Sequence, residues 1–406
     1  MEADVTVLPA AAGRGRPGTM PGTVHVGLRN LGNTCYMNAA IQCLYHIGPL
    51  RSVLWGFGRG ADAHVPVPGG SAVVPALQQL FLGLLGSVDS FVDTKPFATA
   101  LGMSDRDCTL QNDAGEFLTR LVSDRLKDGL GARLYGEFWA NVRVRQRFCT
   151  TGLSAWAPES VRYADSLMVS LQVEGCATLE ASLAQYVSPT SQSDWNGGVD
   201  YGGPQAATAT THLVAEGLPP VLFLQLQRAM HRVVQVDGRG VSQLYKHQGA
   251  LVFRSDLDVA PYTLLSSGGF VQQPLPYALV GVIMHHGAVM HRGHYWAFVR
   301  SQPGALGGAD GWLRCDDHHA AVAVTEAEVL RAGSGASPDA DGASALILVG
   351  VSKFEGFAVF KSTQGIKRYK TGALLPQGSR LEEVLEYGVR MSKSGENEHL
   401  YLFGKK

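Results

Sequence analysis

A thiol, an imidazole and a carboxylate together can run acyl transfer through a covalent intermediate, and this chain of 406 residues has six cysteines and 13 histidines to supply the first two. Cys35 lies in surroundings unlike a hydrophobic core. It follows Asn30-Leu31-Gly32-Asn33-Thr34, a turn rich in glycine and asparagine. It also opens a run in which Ala39, Ala40, Cys43, Leu44 and Ile47 recur at helical spacing until Gly48-Pro49 ends the pattern. A sulfur in the first turn of a helix meets free backbone N–H groups, which favour the negative charge an attacking thiol needs. Gly32 permits backbone shapes other residues resist. The amide of Asn30, five residues upstream, is placed to donate to a developing oxyanion. Cys43, Cys108, Cys149 and Cys176 read as small buried hydrophobes, the ordinary fate of a free cysteine.

The base for such a thiol usually comes from far along the chain. Two alternating apolar segments, Tyr277 to Met284 and Tyr295 to Val299, flank a turn carrying His285, His286, His291 and His294. His294 falls at a strand start, where a sheet would hold it. A third group should fix the imidazole tautomer, and Asp316-Asp317 after Trp312-Leu313-Arg314-Cys315 is a candidate pair. Taken alone, each of these histidines reads as structural or solvent-facing, and an Asp-Asp pair as a solvated turn.

The surrounding elements divide by character. Val24 to about Leu134 reads as mostly helical, including a core helix over Val74–Leu85 and another from Gln111 to Leu126 that buries Ala114, Phe117, Leu118 and Leu121. Asp113 sits near the start of the latter, where a negative side chain is favourable. From Tyr135 onward short alternating segments predict strands at Phe138–Phe148, Ser166–Val173, Pro220–Leu226, Leu251–Phe253 and Ala343–Val351. Ser188–Thr211 and Gly333–Gly342 read as loops. Residues 1–22, rich in Gly, Ala and Pro, are expected to be a flexible lead-in, 23–352 the main domain, and 353–406 a more basic extension with one helix over Arg380–Met391.

With 34 basic against 35 acidic residues and a net charge of -1, nothing predicts a nucleic-acid or membrane partner. No apolar run reaches the roughly 18 residues of a spanning helix, and the N-terminus lacks a signal-peptide pattern. Widely spaced cysteines, with no C-x-x-C pair, fit a reducing compartment: cytoplasm, with the nucleus open.

Gly27 to Leu44 closely resembles the Cys box of the ubiquitin-specific proteases, differing at Ala39, where that family commonly has serine. Tyr277 to Phe298 resembles the family's His box and Trp312 to Val322 its third box. The resemblance spans about residues 27 to 351 and implies an α+β, papain-like fold with a helical thumb, a β-sheet palm and β fingers. It implies a deubiquitinase needing no cofactor, with Cys35 as nucleophile, His294 as general base, Asp316 as its orienter, Asp317 as an assisting acid and Asn30 in the oxyanion site. Cys315 replaces the family's usual Phe or Tyr. Gln111-Asn112-Asp113-Ala114-Gly115-Glu116 resembles the family's glutamine-aspartate box, altered at Asn112 and Gly115; Asp113 and Glu116 would hold the arginine-containing tail of ubiquitin. Gln111, Tyr295, and His285 and His291 in a loop of the His box are further expected substrate contacts. Leu218 to Arg228 matches a family core strand, with Gln227-Arg228-Ala229 in place of the usual Lys-Arg-Phe. The paired zinc-binding cysteines of many relatives are missing around Cys149 and Tyr201-Gly202-Gly203, so no zinc is expected. A protease for another ubiquitin-like modifier, an inactive ubiquitin-binding scaffold and a different papain-type peptidase are the alternatives.

Overall fold

The computed structural model describes residues 26–56, 72–86, 90–130, 141–150, 160–196, 204–236, 239–289, 292–300, 311–335 and 344–352, together with five strands between 357 and 401. The expected lead-in over 1–22 lies outside the described residues, as do Phe138 to Ala140 and most of the loop expected over Gly333–Gly342. The chain divides into two compact units, the larger being Gly22–Val53 with Pro66–Ser352.

The first part of the chain is helical. After the short strand β1 (Gly27–Leu28) come α1 (Cys35–Tyr45), α2 (Gly48–Gly56) and α3 (Val73–Gly86). Strand β2 (Phe91–Val92), which pairs in parallel with β1, leads to α4 (Lys95–Ala100), α5 (Asp105–Cys108) and α6 (Ala114–Thr119). All eleven residues of α1 are buried, as befits a helix enclosed on every side. The helix expected from Gln111 starts instead at Ala114, because Asp113 caps it through its side chain. It continues past Thr119 with wider π-helical turns over Arg120–Leu126.

Strands then take over: β3 (Val142–Thr150), β4 (Ser160–Ser166), β5 (Met168–Gln172), and after α7 (Leu179–Val187) β6 (Thr190–Asn196), β7 (Pro204–Val214) and β8 (Val221–Gln227). Strands β9 (Ala229–Val236) and β10 (Arg239–Lys246) form a hairpin. Next come β11 (Asp256–Asp258), β12 (Thr263–Leu264), β13 (Pro276–Val289), β14 (Arg292–Arg300), β15 (Trp312–Cys315), β16 (Val322–Val324), α8 (Glu326–Ser334) and β17 (Ser344–Ser352).

An eight-stranded sheet runs β16-β15-β14-β13-β17-β8-β5, with β11 added beside β13. Its centre is apolar on both faces: Val221, Leu222, Phe223 and Leu224 of β8 are all buried. Helix α1 lies against β13 and β14. A second sheet runs β12-β7-β3-β4, with β6 beside β7. It has its own small core, in which Phe148 and Trp195 stack at 5.2 Å under the Arg162 guanidinium.

Three expectations are corrected. Ser188–Thr211 is not one loop: it holds β6 and much of β7, whose Thr-rich alternation suits a pleated surface better than its glycines suggest. Leu251–Phe253 makes only a single bridge, Val252 with Thr178. The amides of Leu251 and Val252 donate to Ser334 and Ala177, on different segments, so no ladder can form. The helix expected over Arg380–Met391 is a hairpin of two strands, Arg380–Leu385 and Gly388–Lys393, the second also pairing with Glu396–Tyr401. Gly388 would cost a helix interior about 1 kcal/mol. Earlier in this extension, Phe357–Ser362 pairs with Gly365–Lys370.

Gly27 of β1 sits where a side chain has no room, against the Asp317 carbonyl and the backbone of His318 and His319. Gly27→Ala should therefore displace that turn and cost about 1–3 kcal/mol of stability, measured as a lower midpoint in chemical denaturation.

Candidate active site

The segment before α1 is a tight network built on Asn30. Its Oδ1 accepts from the backbone N–H of Gly32 and of Thr34, each at 3.0 Å. Its Nδ2 donates to Asp317 Oδ2 at 2.8 Å. These partners fix which way the amide faces, because a flip would set oxygen against carboxylate and N–H against N–H. Gly32 is held at φ +138 with the Cys108 carbonyl close by, a shape that favours glycine. Asn33 donates through its backbone to Cys108 and through its side chain to Thr109, at 2.8 and 2.6 Å, fastening the turn to the end of α5. Thr34 occupies the cap position of α1, yet its side chain caps none of the first helical N–H groups. Cys35 begins the helix and is 3% exposed.

His294 stands in β14, opposite His286 of β13. Its Nε2 and Asp316 Oδ1 are 2.7 Å apart. Cys35 is the second group that acts on this imidazole, after Asp316, and favours its protonated form. The bond to Asp316, then Cys35, push the His294 pKa up to about 10 against the opposing effect of burial. This contribution to stability is fully present below the ordinary imidazole pKa of about 6.5 and is lost as pH rises through about 10.

Burial pulls the Asp316 carboxyl upward, but the His294 bond and charge and the neighbouring Arg314 outweigh it, and the net shift is down. Arg314 Nη2 donates to Asp316 Oδ2 at 2.9 Å and lies 5.2 Å over the Trp296 ring, which stacks beside His294. Asp317 is the one described non-glycine residue with positive φ, +46. Besides Asn30, its carboxylate accepts from Asn38 Nδ2 at 2.7 Å, and its carbonyl accepts from the Leu28 amide at 2.6 Å.

The residues expected at a substrate tail fare differently. Gln111 donates to the Gly293 carbonyl (3.2 Å) and accepts from the Gly293 amide (3.1 Å), so both polar ends are committed. Asp113 Oδ1 caps α6 through the amides of Gly115 and Glu116. Glu116 is exposed and pairs with Arg120 at 2.6 Å. His285 lies on β13, not in the loop, and is fully buried against Tyr295, itself fully buried. In this structure both residues back the wall of the site instead of lining it. Burial, then the Lys246 charge, drive the His285 pKa down to about 3, so the ring is neutral, and neither of its nitrogens has a hydrogen-bond partner. His291 lies outside the described residues.

Sequence reasoning missed Asn38 and Lys246. Asn38 carried a signal: a polar residue three places after Cys35, on a helix buried throughout, must find a partner. Lys246, buried and donating to the His285 carbonyl at 2.7 Å, carried none.

Among the described residues, His294, Asp316 and Asp317 are close enough to share a metal ion. Their ligand atoms are already engaged, with Arg314, Asn30, Asn38 and one another, and Arg314 adds a repelling positive charge. The arrangement fits a thiol, a base and its orienter, with an amide donor fixed beside the thiol.

The family model described as ubiquitin carboxyl-terminal hydrolase matches residues 26–349. Ubiquitin carboxyl-terminal hydrolase 26 of Arabidopsis thaliana is 29% identical over 300 residues, covering 72% of this chain and 26% of its own length. Ubiquitin carboxyl-terminal hydrolase 5 of Schizosaccharomyces pombe is 28% identical over 73% of this chain and 25% of its own length. Ubiquitin carboxyl-terminal hydrolase 17-like protein 11 of Homo sapiens is 25% identical over 73% of this chain and 52% of its own length. The chain thus spans about a quarter of the first two relatives and about half of the third.

Replacing Asp316 by Asn removes the largest cause of the raised imidazole pKa. In NMR titrations His294 should fall from about 10 towards the ordinary value of about 6.5.

Proposed function

Because this chain belongs to the ubiquitin carboxyl-terminal hydrolase family, we propose that it is a thiol-dependent deubiquitinase, cleaving the peptide or isopeptide bond after the C-terminal glycine of ubiquitin. The fold is papain-like and α+β, with α1 to α6 as thumb, the eight-stranded sheet as palm and the β3-β7 sheet as fingers. The observation that carries the reading is the 2.7 Å bond between His294 and Asp316, with Cys35 at the start of α1 acting on the same imidazole. Residues 23–352 are the catalytic domain on this reading.

The Cys35 sulfur attacks the carbonyl carbon of the terminal glycine. Negative charge develops on the carbonyl oxygen, and the Nδ2 of Asn30 and the free N–H groups at the start of α1 stabilise it. Asp317 assists by holding Asn30. His294, kept protonated at neutral pH by Asp316, gives its proton to the departing lysine amine, leaving a thioester on Cys35. The imidazole then takes a proton from water, whose oxygen attacks the thioester; the C–S bond breaks, releasing the ubiquitin C-terminus and leaving the Cys35 thiolate beside a protonated His294, as at the start. No cofactor takes part. Asp113 and the exposed Glu116 offer carboxylates to arginines of the ubiquitin tail, Glu116 exchanging Arg120 for the substrate. The lone finger thiol Cys149 and the Phe148–Trp195 stack support fingers closed without zinc. Six free cysteines support a reducing compartment, cytoplasm or nucleus.

Ubiquitin bearing a C-terminal electrophile tests this directly, beside the matching probes for other ubiquitin-like modifiers and a Cys35→Ala control. An adduct with the ubiquitin probe, lost in Cys35→Ala, is expected. An adduct only with another modifier's probe would transfer the activity to that modifier. Folded protein that reacts with none would leave a binding scaffold.

A further inference from the structure

Gly293, the residue before the base, has a backbone that the palm sheet leaves partly unpaired. Pairing of β14 with β15 begins only at Ala297. On the other side, the β13–β14 register breaks between His286 and Val289, opposite Gly293. Gly293 itself adopts φ +153 and packs so closely on the His286 carbonyl that it admits no side chain. Such a residue holds its peptide planes loosely unless something outside the sheet fixes them.

Gln111 does so. Its carboxamide makes with Gly293 the two reciprocal bonds that one residue of a neighbouring strand would make: Nε2 to the carbonyl at 3.2 Å and the amide to Oε1 at 3.1 Å. The two residues are 182 positions apart in sequence. Gln111 stands just before Asp113, the cap of α6, while the neighbouring Asn112 donates to the hydroxyl of Tyr36, the residue after Cys35. One short segment therefore touches the helix that presents the thiol and the strand that presents the imidazole.

We infer that Gln111 is a positioning residue for His294, setting the backbone from which the imidazole reaches Cys35, and not a contact for the substrate tail. The inference rests on the reading of Cys35 and His294 as nucleophile and base. Side-chain geometry requires a group that donates and accepts at once, which among residues of this size only glutamine supplies. Alanine loses both bonds. Glutamate keeps an acceptor for the Gly293 amide but sets a carboxylate against its carbonyl.

The test measures kcat and KM separately for the wild type, Gln111→Ala and Gln111→Glu on a fluorogenic ubiquitin C-terminal amide, with the His294 imidazole followed by NMR and folding checked by thermal melt. Both variants should fold, lose about tenfold in kcat and keep KM within roughly twofold. Their His294 signals should shift or broaden. A raised KM with kcat intact would make Gln111 a substrate contact. Increased activity would make it a latch across the cleft, and unchanged kinetics with an unchanged His294 signal would leave it no role; each result overturns the inference. A wild type inactive on ubiquitin would count against the proposed activity alone, since the His294 signal still reads the Gln111–Gly293 bonds.

Discussion

The carboxylate of Asp317 is the constraint on which the site depends. It accepts from two side-chain amides, Asn30 before α1 and Asn38 within it, while its backbone carbonyl takes the Leu28 amide. The price is a left-handed backbone at a non-glycine residue, of order 1 kcal/mol or more. With that turn in place, Asn30 has one orientation, and its oxygen in turn orders the amides of Gly32 and Thr34 just ahead of Cys35. A half-buried carboxylate with two amide donors is a stiff joint, since losing either donor leaves part of its charge uncompensated.

The adjacent residue carries the other half. Asp316 holds His294, and Arg314, braced on the Trp296 ring, holds Asp316. Two consecutive aspartates after β15 thus face opposite tasks, one holding the His294 imidazole and the other the Asn30 amide that precedes Cys35. This explains the close fit of Gly27 against the same turn: β1 runs over the backbone of residues 317–319 with no space for a methyl group. Helix α1 and the palm sheet meet here through hydrogen bonds as well as apolar packing, so the thiol and the imidazole are positioned by a shared support.

Much of this was legible in the chain itself. The Gly/Asn turn before Cys35, the alternation on either side of His294 and the Asp-Asp pair after Trp312 each follow from local rules, and the structure brings them together. The resemblance supplied their roles. What local rules miss is partnership at a distance. The resemblance places Gln111 at the substrate, whereas its carboxamide bonds Gly293, 182 residues away. The resemblance places His285 in a loop and Tyr295 at the substrate, yet the two pair across β13 and β14 and are fully buried, with Lys246 donating to the His285 carbonyl. The Thr-rich segment before Val214 failed for a related reason: its glycines suggested a loop, whereas β-branched side chains paired with β3 made it a strand.

The joint between Asn30 and Asp317 is the central claim, and a double-mutant cycle on kcat tests it most directly, using Asn30→Ala, Asp317→Ala and the double variant. If Asp317 acts by holding Asn30, the double variant should be no slower than the worse single variant, leaving a coupling of about 1–3 kcal/mol. Losses that simply add would mean that the two residues act independently, and the account of the site given by their 2.8 Å bond would be wrong.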